Sequence, residues 1–111
     1  MALGLEFVVK ENIELFVGRI ATECNPERRM LIKELLLQEL ERLIEPDAQL
    51  RVISDAIQYA EKLLIRQSGV AERLDADGRD ARIARDTLAN TKDVLALLKE
   101  VLNNAPKDSS K

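Results

Sequence analysis

Histidine is absent from the sequence, which removes the side chain most often used as a general base near pH 7 and the commonest metal ligand. Serine–histidine–aspartate and cysteine–histidine couples are thereby excluded, and zinc sites are crippled. The nucleophile of note is the single cysteine, Cys24. It stands two residues before Pro26, where a helix begins and where unpaired N–H groups favour a thiolate. It also lies four residues after Ile20 on an apolar helical stripe, the position of a packed or half-exposed thiol. The packed or half-exposed thiol is the simpler reading, and redox sensing by Cys24 is the alternative.

Asp75-Ala76-Asp77-Gly78-Arg79-Asp80 has a superficial likeness to a calcium loop, which needs oxygen ligands at its first, third, fifth and twelfth positions and glycine at the sixth. Counting from Asp75 places the cation Arg79 fifth, Asp80 sixth and the short Asp86 twelfth, so the segment reads as a helix hinge with a solvated acidic face. Arg79, Arg82 and Arg85 step by three and could clamp an anion, yet they alternate with Asp75, Asp80 and Asp86. Arg82 to Asp86 has the spacing of an ion pair along a helix, and a solvated face is expected. Gly4, Gly18, Gly69 and Gly78 have no phosphate-loop spacing, and Glu34 and Glu41 fall on a polar ribbon rather than forming an acid–base couple. No reaction type is supported. The chain reads as a non-enzyme with no cofactor and no metal.

The elements that would carry these residues are helices. Strong punctuation falls at Cys24-Asn25-Pro26, at Glu45-Pro46-Asp47, and between Ser68-Gly69 and Asp77-Gly78. Asn25 can accept from the free N–H groups of a new helix, and Pro26 and Pro46 fit a first helical turn, where no intrahelical bond is lost. Val9, Ile13, Phe16 and Ile20 step by three or four, as do Leu50, Ile53, Ile57, Ala60 and Leu64. Ala81, Ala84, Leu88, Thr91, Leu95, Leu98 and Leu102 continue the pattern. Helices are expected over about 5–23, 26–44, 46–68 and 79–104, in one domain spanning 1–105 with a disordered tail at 106–111. Gly69 can close the third helix. Residues 70–77 then form a short extra helix, a loop, or the first turns of a protruding fourth helix. Short connections make neighbours antiparallel, which gives an all-α, up-down four-helix bundle of two hairpins.

One core is what 111 residues can build, and the few aromatics (Phe7, Phe16 and Tyr59) favour aliphatic helix packing. Net charge is −3, from six basic residues against nine glutamates before residue 46 and balance thereafter. No basic block exists to draw the chain to nucleic acid or anionic lipid. No apolar run reaches a membrane span of roughly 18 residues, and the first ten residues lack a secretory signal. The expectation is a cytoplasmic protein with no nucleic-acid or membrane partner.

Helix 2 is apolar around more of its circumference than one neighbour covers. Counting about 100° per residue from Met30, Ile32, Leu36, Leu37, Leu40, Leu43 and Ile44 fall between about 200° and 340°, with Leu31 and Leu35 near 100° and 140°. A homodimer is the expected solution, with Leu31, Leu35, Leu37, Leu40 and Ile44 as interface candidates. The leading function is a structural or regulatory interaction protein that presents an apolar helix face to itself or to a protein partner. The alternative is a small-molecule or redox-sensing module using Cys24 or a pocket between helices. A third reading is a two-component dimerisation helix without its phosphoacceptor.

Asn12-Ile13-Glu14-Leu15-Phe16, then Glu23, Asn25-Pro26, Arg28-Arg29, Leu31, Leu35-Leu36, Glu39 and Leu43, resembles a helical hairpin of short alphaproteobacterial proteins. Their pattern is N-I-x-x-F, then E-x-D/N-P/x-x-x-R, then L-x-x-L-L-x-E-E-x-x-K/R-L. Gln38 stands here where the first of the paired glutamates is usual, and the resemblance ends by residue 43. It implies a bacterial helical hairpin of unknown role and brings no active site. Helical periodicity in every segment predicts a circular dichroism spectrum dominated by helix and a cooperative melt, and a strand-dominated spectrum would refute it.

Overall fold

Two prolines and one glycine set the breaks in the backbone. The computed structural model describes residues 2–104, so the tail expected at 106–111 lies outside the described residues. The helices are α1 (Ala2–Thr22), α2 (Pro26–Glu41), α3 (Pro46–Ala76) and α4 (Arg82–Asn104), with no strand among the described residues.

The first break is capped as the residue types require. Asn25 is extended, and its Oδ1 accepts from the N–H groups of Glu27 at 2.8 Å and Arg28 at 3.3 Å, while Pro26 opens α2. At the second break Pro46 holds Glu45 extended, with φ −77° and ψ 127°. The chain leaves α2 earlier than the expected 44: Arg42 and Leu43 donate to Glu39 and Leu40 at 3.1 Å, a tightened last turn beyond Glu41.

The third break is a correction. Gly69 does not close α3, which runs through it for 31 residues to Ala76, so 70–77 is neither a loop nor a separate helix nor the start of α4. A lone glycine costs a helix interior only about 1 kcal/mol, and Ala71 and Leu74 continue the inward stripe beyond it, Ala71 being buried. The stop is Gly78, at φ +70°. Its N–H donates to Asp75 O at 3.1 Å and the Arg79 N–H reaches Leu74 O at 2.8 Å, the paired closing bonds of a left-handed cap. Residues 79–81 complete that turn, so α4 begins at Arg82 rather than at 79. Asp80 accepts from the Arg82 N–H at 2.9 Å.

The helices alternate in direction as an up-down bundle, 54 × 26 × 24 Å overall. Arg51 pairs with Glu6 at 2.8 Å across α3 and α1, which run parallel, and Lys99 lies 3.8 Å from Glu61 across antiparallel α4 and α3. The core joins Val9, Ile13, Val17 and Ile20 of α1 to Leu36 and Leu40 of α2, Val52, Ile53, Ala56 and Ala60 of α3, and Val94 and Leu98 of α4. Helix α1 packs on all three others, whereas α2 rests chiefly on α1 and barely meets α3. Thr91 is fully buried, and its hydroxyl donates back one turn to Thr87 O at 3.0 Å.

The two glycines should respond with opposite sign. No atom lies within 4 Å of a Cβ built at Gly69, so Gly69→Ala should raise stability by about 1 kcal/mol in urea unfolding. Gly78→Ala should lower it by about 1–2 kcal/mol, the left-handed penalty for a residue with a Cβ. Reversed signs would return the helix end to Gly69.

Candidate protein-interaction surface

The five candidates on helix 2 are split among separate places. Leu31 and Leu35 are 55% and 41% exposed. Leu40 is buried and belongs to the core together with Leu36 and Leu43. Leu37 is half-buried against that core. Ile44 is 92% exposed, but α2 has ended by then, so it sits in the turn before α3 and not on a shared helix face.

Leu31 and Leu35 share their surface with α1. Asn12 Nδ2 donates to Glu39 Oε2 at 2.8 Å, and Arg42 Nη1 donates to the same oxygen at 2.8 Å. The first of these bonds sets the register of the antiparallel pair. Leu35 lies one turn before Glu39 and Leu15 one turn after Asn12, so the two leucines come to the same level of the hairpin. Leu15 is 56% exposed and Val8, two turns before it, is 45% exposed. Val8, Leu15, Leu31 and Leu35 therefore lie along the outer side of the α1–α2 hairpin, with exposed Glu11 and Arg19 in the row of Leu15 and exposed Arg28, Gln38 and Arg42 on α2 and just beyond its end. The signal for Val8 and Leu15 was in the sequence. At about 100° per residue they lie about 20° apart and well away from the Val9, Ile13, Ile20 stripe.

Parallel α2 and α4 leave a groove of about 730 Å³, lined by Lys33, Asp93, Leu97 and Glu100 and crossed by a Lys33–Asp93 ion pair. A neighbouring recess of about 410 Å³ takes in Leu37, Ile53, Leu97 and Val101. The groove is open and its walls are heavily charged, unlike the enclosed, mostly apolar pockets that hold small molecules.

Cys24 is exposed, not packed. Helix α1 stops at Thr22, so the four-residue step from Ile20 no longer places the thiol on the buried stripe. It lines a cleft of about 260 Å³ with Thr22, Arg29, Ile83, Asp86 and Thr87, and Arg29 Nη1 donates to Glu23 O at 2.8 Å.

The acidic segment is occupied by its own arginines. Arg85 pairs with Asp75, and Arg82 Nη2 donates to Asp80 Oδ2 at 2.9 Å, replacing the expected pairing of Arg82 with Asp86. The Arg82 side chain, and after it the Arg82 backbone N–H, hold the Asp80 carboxyl below the usual range. Arg51 does the same to Glu6. Both carboxylates thus favour the fold at neutral pH, and that contribution is lost as pH falls through their lowered values. Among the described residues no group of three or more His, Cys, Asp or Glu side chains is arranged to hold a metal ion. None of the described helices is long and apolar enough to cross a membrane. Comparison of the chain with protein families, curated proteins and solved structures finds no match.

An exposed thiol in an open cleft should react as a free one. In the native protein Cys24 should react fully with an aromatic disulfide reagent at the rate shown by the unfolded chain, and Cys24→Ser should change stability by less than about 0.5 kcal/mol. A native rate far above the unfolded one would restore the redox reading.

Proposed function

We propose that this chain is a non-enzymatic cytoplasmic interaction protein that works as a homodimer, burying the outer face of its α1–α2 hairpin. The observation that carries this reading is the strip Val8, Leu15, Leu31 and Leu35, with each side chain between 41% and 56% exposed on one face. Single apolar side chains such as Ile65 and Ile83 are ordinary on a monomer, whereas several half-exposed aliphatic side chains grouped on one hairpin face among charges are a common form of protein contact. Closed two-fold association is the commonest way for one chain to cover such a face. The lack of histidine and the pairing of Asp75 and Asp80 with arginines support a role in binding rather than in catalysis. The cytoplasmic assignment is supported by the lone cysteine, which has no partner for an internal disulfide.

Light scattering at micromolar concentration should report about twice the 12.5 kDa chain mass. The double substitution Leu15→Lys with Leu35→Lys should give a monomer with an unchanged helical spectrum, because both side chains are outside the core. A monodisperse wild-type monomer would overturn the proposal.

A further inference from the structure

The row of α1 that holds Leu15 carries opposite charges on its two sides. Glu11, Leu15 and Arg19 follow one another at four-residue steps, and all three are exposed on α1. One turn before Leu15 the row is negative, and one turn after it the row is positive, each about 6 Å away along the helix. Neither charge is strongly engaged within the molecule. Glu11 lies 3.7 Å from Lys10, whose closer partner is Glu14 at 3.0 Å. Arg19 has no carboxylate within ion-pair distance among the described residues.

Resting on the homodimer reading above, we infer that the occupant of this face is a second copy of the chain, with the two α1 helices antiparallel, crossing at Leu15, and Glu11 of each copy paired with Arg19 of the other. A two-fold axis perpendicular to α1 through Leu15 exchanges the levels of Glu11 and Arg19, so the opposite charges meet twice. Rows at four-residue spacing pack into one another at a crossing of about −50°, the commonest geometry between globular helices. That crossing brings the two Glu11–Leu15–Arg19 rows into line. Leu35, level with Leu15 on α2, widens the apolar centre between the charges. A parallel α1 pair would set Glu11 against Glu11 and Arg19 against Arg19. A two-fold axis running along the helices would instead lay α1 on the partner's α2, placing Glu11 near Arg42.

Charge exchange separates these arrangements. Glu11→Arg and Arg19→Glu alone should each raise the dimer Kd about tenfold or more at physiological salt, since each converts two attractive contacts into repulsive ones. The double variant carrying both changes should recover the wild-type Kd. An equimolar mixture of the two single variants should form a heterodimer, because every pair is again opposite in sign. High salt should shrink all of these differences. Sedimentation equilibrium reads each outcome, and circular dichroism checks that the exposed substitutions leave the helices intact. A wild-type dimer indifferent to the single changes, or not restored by the double variant and the mixture, overturns this register while leaving the homodimer standing. A wild-type monomer overturns both.

Discussion

The structure depends on keeping one side of α1 dry. Val9, Ile13, Val17 and Ile20 are fully enclosed, and they are covered by three different helices: α2, α3 and α4 all pack on α1 while α2 and α3 barely meet. Burial of each such side chain contributes about 1.5–3 kcal/mol, a large share of the stability that a domain of this size retains. The arrangement is therefore less a square of four equal helices than a keel with three planks. It explains why α2, with its broad apolar circumference, is left with leucines in water: it has one extensive neighbour, and with Leu36 and Leu40 buried in the core Leu31 and Leu35 stay exposed.

Small residues let the other side of the bundle close. α3 turns Ala48, Ala56, Ala60 and Ala71 inward, and side chains of that size allow its neighbours to pack at short range. The same helix is the longest of the four, and its capped end at Gly78 is where the chain reverses into α4. Arg85 to Asp75 and Lys99 to Glu61 tie the two along their length, and these contacts are solvent-exposed, so they align the hairpin more than they stabilise it.

How far the sequence could be read follows from what each signal means physically. Pro26 and Pro46 are read with certainty because a missing N–H and a fixed φ act locally, and Asn25 adds a side-chain acceptor that needs no tertiary context. Gly69 and Gly78 show the opposite case. Glycine permits a helix to end but does not require it: α3 runs through Gly69 with Ala71 buried and Leu74 half-buried beyond it, and it is Gly78 that takes the positive φ. Leu40 was misplaced for a similar reason: angular counting finds a wide apolar arc, but only the position of α1 says which part of the arc is covered. Val8 and Leu15 were legible from the same counting applied to the first helix. The exposure of Cys24 was not legible, because it turns on α1 ending at Thr22, within a boundary that periodicity cannot fix to the residue.

Folding and the proposed self-association draw on different physics in this chain. Aliphatic burial is non-directional, so an apolar strip by itself would accept a partner at many angles. The core escapes that ambiguity through close packing and through the fixed order of the connections. An outer face has neither, and a row of leucines there would stick without choosing a register. In the proposed dimer, charges placed asymmetrically about the strip supply the missing direction, since reversing the partner turns attraction into repulsion. Exposed ion pairs contribute little to a monomer, which leaves Glu11 and Arg19 free of any structural duty and able to differ in sign without cost to the fold. The dimer proposed here needs no histidine and no metal cluster, because a helix face with opposite charges one turn either side of Leu15 combines an attraction with an orientation.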